Sequence, residues 1–147
     1  MCSSDLVSPF EWRYALHDPY ALDTEAMAQA ARLFEGEHDF TSFAASSGSK
    51  EDDRERTAVR VIHRSETVVD PQRQTLTYVV RGRSFLRYMV RKMVGTLLDV
   101  GRGKLTPEDI PRLLELRDRS RSGPTVPPQG LCLMSVEYPE PWRLETQ

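Results

Sequence analysis

Between Arg81 and Lys92 the chain carries five basic residues, Arg81, Arg83, Arg87, Arg91 and Lys92, and no acid. This is the one strong local positive field in a chain whose formal net charge is −2. Such a field attracts carboxylates and phosphates. Arg87 and Arg91 lie four residues apart, one helical turn, on the flank of an apolar helical pattern. A guanidinium does not lose its proton and is costly to bury without an acidic partner. Two readings are open: the pair snorkels to water, or Arg91 stands at the edge of a cleft to meet a carboxylate or a phosphate. Arg56 and Arg60, in R-T-A-V-R, have the same ambiguity between phosphate contacts and solvated arginines.

No nucleophile and base pair can be named from spacing. G-x-S-x-G, a Gly-rich phosphate loop and a zinc pattern are all absent. Asp39 and Asp99 lie near apolar residues and read as turn and helix-end hydrogen bonders. His17, His38 and His63 are scattered, and no Cys/His cluster has metal-ligand spacing.

The elements that must position the arginines follow from periodicity. In Ser84 to Arg102 the apolar pairs Phe85/Leu86, Met89/Val90, Met93/Val94 and Leu97/Leu98 recur every four residues, which predicts a buried helix. Ser84 reads as its N-cap, and Gly101 and Gly103 as its stop. Phe10 to His17 alternates as a strand. Leu22 to Glu35 reads as a helix capped by Asp23 or Thr24, burying Met27, Ala30, Ala31 and Phe34 and ended by Gly36. His38 to Phe43 reads as a tight turn with one short helical turn at Phe40 and Phe43. Ser46 to Glu55 is a polar surface loop.

Ala58 to Val69 and Gln74 to Arg81 form a hairpin across Asp70-Pro71-Gln72-Arg73. Val59, Val61 and His63, then Thr67 and Val69, carry the alternation of its first strand. Thr106-Pro107-Glu108-Asp109 opens a helix that runs to about Leu116 and buries Ile110, Leu113 and Leu114, with Leu116 a further candidate. Arg117 to Gln129 is an extended basic loop. Gly130 to Tyr138 alternates as a last, central strand. The fold class is α+β, a mostly antiparallel sheet with helices packed on one face.

Length and composition are those of one ordinary domain: 147 residues, 39% hydrophobic and 29% charged. No apolar run approaches a membrane span, and the N-terminus lacks the pattern of a secretory signal. Cys2 and Cys132 make no disulfide framework and fit reduced thiols in a cytoplasm. Met1 to Leu6 shows no periodicity and reads as foreign to the fold. The expected division is residues 1–8 as a leader, 9–141 as the α+β domain and 142–147 as a tail.

Four blocks carry a resemblance, in order and with consistent spacing from about Pro9 to Pro139. They are L-D-T-E-A-M-A-Q-A-A-R-L-F-E-G-E-H-D-F-T-S-F, R-T-A-V-R, F-L-R-Y-M-V-R-K-M-V-G-T-L-L-D-V-G-R-G and S-G-P-T-V-P-P-Q-G-L-C-L-M-S-V-E-Y-P. Together they resemble the C-terminal half of the TruA-type tRNA pseudouridine synthases. The resemblance implies the C-terminal half of a pseudouridine synthase fold, and isomerisation of uridine to pseudouridine in the tRNA anticodon stem-loop. The target base must be flipped out to be reached. It assigns Arg91 as the partner that keeps a nucleophilic Asp ionised. Leu131 falls on the apolar residue beside the flipped base. Arg56, Arg60 and Arg87 belong to the RNA-contacting wall. Lys92 stands where the family commonly has Asn.

The family's nucleophilic Asp belongs to an R-T-D-x-G-V-H block, and no such block occurs in these 147 residues. The expectation is therefore a fragment, inactive alone and complemented by an N-terminal half. Expected partners are tRNA, that missing half and a second copy in a homodimer, with no membrane. No metal and no organic cofactor are implied. The alternative is a non-catalytic RNA-binding or dimerisation module.

Overall fold

The computed structural model describes residues 13–45 and 57–138. They fall into two compact units, residues 18–127 (interrupted at 46–56) and residues 13–17 with 128–138. The larger unit runs α1 (Thr24–Arg32), β1 (Gly36–Asp39), a 3-10 turn (Thr41–Phe43), β2 (Val59–Asp70), β3 (Thr75–Gly82), α2 (Met89–Gly101) and α3 (Asp109–Leu116). The three strands form one antiparallel sheet in the order β1-β2-β3. The class is α+β, as the periodicity predicts.

α1 forms because Asp23 accepts a hydrogen bond from the Ala26 N–H (3.0 Å), satisfying one orphan donor of its first turn. Its stripe of Met27, Ala30, Ala31 and Phe34 is buried as expected. The small alanines let it lie close to β2, where Ser65 donates to the Ala31 carbonyl at 2.5 Å. Phe34, Phe40 and Phe43 then form one aromatic cluster, with Phe34 and Phe43 edge to face at 5.2 Å. Such a pair adds about 0.5–1.5 kcal/mol beyond its buried area.

Five features differ from the sequence reading. The stretch His38-Asp39, expected as a turn, belongs with Gly36 and Glu37 to β1, which pairs Gly36–Asp39 against Val59–Ile62. Before the bulge the inward residue of β2 is Ile62, not Val59, Val61 and His63; after it Ser65 is inward, on the expected face with Thr67, while Val69 is exposed. A bulge between Ile62 and Arg64 leaves His63 and Arg64 both outward and shifts the phase. α2 starts at Met89 rather than after Ser84, because Tyr88 holds a left-handed backbone (φ 61°) that no continuous helix admits. Within Phe10 to His17, residues 13–17 are turn and irregular chain, and residues 10–12 lie outside the described residues. Gly130 to Tyr138 forms no strand among the described residues. A strand requires a ladder partner, and Leu133 and Met134 are 79% and 85% exposed.

The remaining elements match closely. The hairpin turns at Pro71, with β3 directing Leu76, Tyr78 and Val80 toward the core. α2 ends in a Schellman motif at Gly103 (φ 79°): Lys104 N–H bonds to Asp99 O and Gly103 N–H to Val100 O. α3 begins at Asp109, and its carboxylate accepts from the Thr106 N–H (2.8 Å) and hydroxyl (3.1 Å). Ile110, Leu113 and Leu114 are buried as expected, whereas Leu116, the further candidate, is exposed at the helix end. Among the described residues no helix is long and apolar enough to cross a membrane. The leader, the Ser46–Glu55 loop and the tail lie outside them.

α2 approaches the chain at Gly123–Pro124 more closely than side chains allow. A Cβ on Gly95 would stand 1.8 Å from the Pro124 carbonyl oxygen, and one on Gly123 would stand 2.6 Å from Thr96 N. We therefore expect Gly95→Ala to destabilise the fold by about 3 kcal/mol or more, since the obstacle is backbone. Urea unfolding checks this, with Gly103→Ala as the milder comparison at about 1 kcal/mol.

Candidate active site

The site grows from the first turn of α2. Tyr88 precedes the helix, and its left-handed backbone turns the ring so that two guanidiniums face it. The Arg87 Cζ lies 4.9 Å from the ring centroid and the Arg91 Cζ 4.6 Å. Arg87 also donates to the Tyr88 hydroxyl at 3.3 Å. That hydrogen bond, then the charge of Arg87, holds the Tyr88 phenol below the usual tyrosine range, with Arg91 adding to the effect. Arg91 is half-buried and donates through Nε to the Val126 carbonyl at 2.8 Å, while Val126 N–H returns to the Arg91 carbonyl at 3.4 Å. One edge of the guanidinium and one face are thereby occupied. Its terminal nitrogens are the donors suited to a forked grip on a carboxylate.

The Ser122–Val126 segment is fastened to the helix that carries Arg91. Thr96 donates to the Lys92 carbonyl (2.9 Å) and accepts the Gly123 N–H (3.0 Å). Ser122 donates to the Ser42 carbonyl (2.6 Å), and buried Ser42 donates to Leu113 O (2.6 Å) while accepting the Asp118 N–H (2.9 Å). Arg117, left-handed at φ 50°, pairs with Asp39 at 3.3 Å. Burial opposes the charge on Asp39, but hydrogen bonds from the Thr41 hydroxyl and N–H, with the Arg117 charge, outweigh it and lower the pKa. The expected role of Asp39, turn hydrogen bonding, is the observed one.

Beside this cluster lies a cavity of about 350 Å³ lined by Ala44, Ala45, Arg87, Tyr88, Lys92, Arg119 and Thr125. Lys92 donates to the Arg119 carbonyl at 2.6 Å. Burial, then the Arg119 charge, lowers the Lys92 pKa against the pull of Asp118.

The structure brings Arg87 and Arg91 together on one ring. It holds Arg60 at the start of β2, donating from Nη1 to the carbonyls of Thr57 (2.6 Å) and Val59 (2.8 Å). Arg56 lies outside the described residues. Leu131 belongs to the smaller unit and is 57% exposed. Sequence reasoning missed Tyr88 and Arg119 as site residues and assigned Lys92 no role. An aromatic between arginines one residue before and three after was the available signal for Tyr88. Arg119 had none, because only the fold brings it to Lys92.

Comparison with known proteins decides the family. A model of the tRNA pseudouridine synthase family matches residues 30–139. A protein called tRNA pseudouridine synthase A from Solibacter usitatus is 48% identical over 138 residues, covering 94% of this chain and 53% of its own length. One of the same name from Streptococcus pneumoniae is 43% identical over 133 residues, covering 90% and 51%. The chain belongs to the tRNA pseudouridine synthase family. It spans about half the length of the curated relatives it matches.

Asp39, held ionised by the Thr41 hydrogen bonds first and the Arg117 charge after them, has a pH signature. The native carboxylate has a lowered pKa, so near and below pH 4 the unfolded chain binds more protons than the folded one. The stabilisation is complete above the ordinary aspartate pKa and is lost as pH falls through the native one. Asp39→Asn should flatten this acid limb of the stability profile, measured by urea unfolding between about pH 6 and pH 2.5.

Proposed function

We propose that this chain supplies the arginine-bearing half of a tRNA pseudouridine synthase, an isomerase acting on uridine in the anticodon stem-loop. The observation that carries the reading is the fixed guanidinium of Arg91. It is tethered at Nε to Val126 O and stacked on Tyr88, with its terminal nitrogens suited to a carboxylate.

In this reading the nucleophilic Asp comes from the N-terminal half, outside these 147 residues. Arg91 meets that carboxylate and keeps it ionised at neutral pH. The carboxylate attacks the ribose C1′ as the N-glycosidic bond breaks, the freed uracil turns, and its C5 bonds to C1′ as the carboxylate leaves. The C5 proton is then lost to solvent and N1 takes up a proton. Leu131 packs beside the flipped base. Arg56, Arg60 and Arg87 take the RNA backbone, and no metal or organic cofactor takes part.

The reading also assigns partners. The exposed Leu131, Leu133, Met134, Val136 and Tyr138 are apolar surface of the kind a missing half or a second copy covers. A homodimer with tRNA lying across both copies, at work in a cytoplasm, completes the proposal. The residues in hand contain no R-T-D block, which keeps a second reading in play: a non-catalytic RNA-binding or dimerisation module.

The test is tritium release from tRNA labelled at uracil C5. We expect none from this chain alone and turnover when an N-terminal half from a relative is added. In the completed enzyme Arg91→Ala should lower turnover by about a hundredfold or more, with tRNA affinity within about threefold. Release from the chain alone would overturn the division of the site. Equal losses of affinity for Arg91→Ala and Arg60→Ala would favour the module.

A further inference from the structure

The cavity beside Tyr88 has a composition that the reaction itself does not require. Three of its lining side chains are cations, Arg87, Lys92 and Arg119, and none of the lining residues is an acid. Thr125 adds a hydroxyl, and Ala44 and Ala45 keep one wall small. Lys92 and Arg119 are both half-buried, so their charges are less screened than those of surface residues. The Arg119 carbonyl takes one of the three ammonium donors of Lys92 at 2.6 Å. The cavity shares Arg87 and Tyr88 with the Arg91 cluster. An anion held there therefore lies just across Tyr88 from the proposed reaction centre.

We propose that this cavity is a phosphate subsite, in which Lys92, Arg119 and Arg87 grip one backbone phosphate of the RNA whose target nucleotide lies at Arg91. The assignment rests on the RNA-modifying reading above and deepens it, giving Lys92 and Arg119 a binding role. The volume of about 350 Å³ accommodates a phosphodiester group with part of its hydration. Burial first and the Arg119 charge second lower the Lys92 pKa, and Asp118 offsets them only in part. A bound phosphate adds negative charge beside both cations.

The test is the salt dependence of binding between the intact chain and a labelled tRNA. Each phosphate contact contributes about 0.7 to 0.9 to the slope of log affinity against log salt. Lys92→Asn with Arg119→Gln should reduce the slope by about that amount, the share of the one phosphate, and Arg119→Gln alone by part of it. The double variant should bind about tenfold more weakly at moderate salt. Lys92→Arg should keep the wild-type slope. Arg119→Gln guards against misfolding, because the backbone carbonyl of Arg119, not its guanidinium, receives Lys92 and Ser122. A folded Arg119→Gln with an unchanged slope would overturn the proposal, and so would absence of tRNA binding by the intact chain.

Inorganic pyrophosphate provides the second arm, followed at the backbone amides of Ala45 and Thr125. Shifts there with no change of tRNA slope in the variants would mean a free-anion site and overturn the RNA assignment. A reduced slope in the variants together with no tritium release from the two combined halves would leave the subsite standing and refute the catalytic reading.

Discussion

The close approach of α2 to the Gly123–Val126 segment is the constraint on which the site depends. Two glycines, Gly95 and Gly123, let backbone meet backbone where any Cβ would collide. Thr96 fixes the register of that meeting by accepting the Gly123 N–H. Three residues later the chain reaches Val126, whose carbonyl receives Arg91. A displacement of that carbonyl by an ångström would break the tether and leave Arg91 free to sample solvent rotamers. The long arginine side chain has substantial entropy to lose on ordering, and the Val126 carbonyl and Tyr88 ring together order it before any substrate arrives.

The strain at Tyr88 belongs to the same arrangement. A bulky residue at φ 61° costs of order 1–3 kcal/mol. The fold sustains it because Met89, immediately after, is fully buried and Ala45 N–H bonds to the Arg87 carbonyl just before. The result is an aromatic face between two guanidiniums at the start of a core helix. The flanking segment is secured at several points by different chemistry: Ser42 and Ser122 by buried hydrogen bonds, Asp39 and Arg117 by charge. The Arg91 geometry therefore does not hang on a single contact.

Legibility in the sequence followed physical range. The α1 stripe, the β2–β3 hairpin and the buried face of α3 were readable because their signals are local and periodic. The start of α2 was not, because nothing in S-F-L-R-Y-M announces a left-handed tyrosine. β1 escaped because G-E-H-D has no strand pattern and exists by pairing with β2. The reversed face in the first half of β2 came with a one-residue bulge, which period-two counting cannot anticipate. The Gly130–Tyr138 segment erred in the other direction: its alternation is real, but no described residue supplies a ladder. At the site, Arg87 and Arg91 were visible as basic residues one turn apart, and the family was visible in four ordered blocks. Tyr88 as a platform, and Lys92 beside Arg119, were products of tertiary approach alone.

The central proposal is that Arg91 is held ready for a carboxylate carried by an N-terminal half. Nitrogen-detected NMR of the Arg91 guanidinium, with and without a separately produced N-terminal half, tests it most directly. The account predicts that the Nη resonances shift and their rotation slows on addition of that half, while Nε, already bonded to Val126, changes little. Replacing the nucleophilic Asp of the added half by Asn should abolish the Nη response but not association. Association of the halves with the Arg91 Nη signals unmoved would contradict the account.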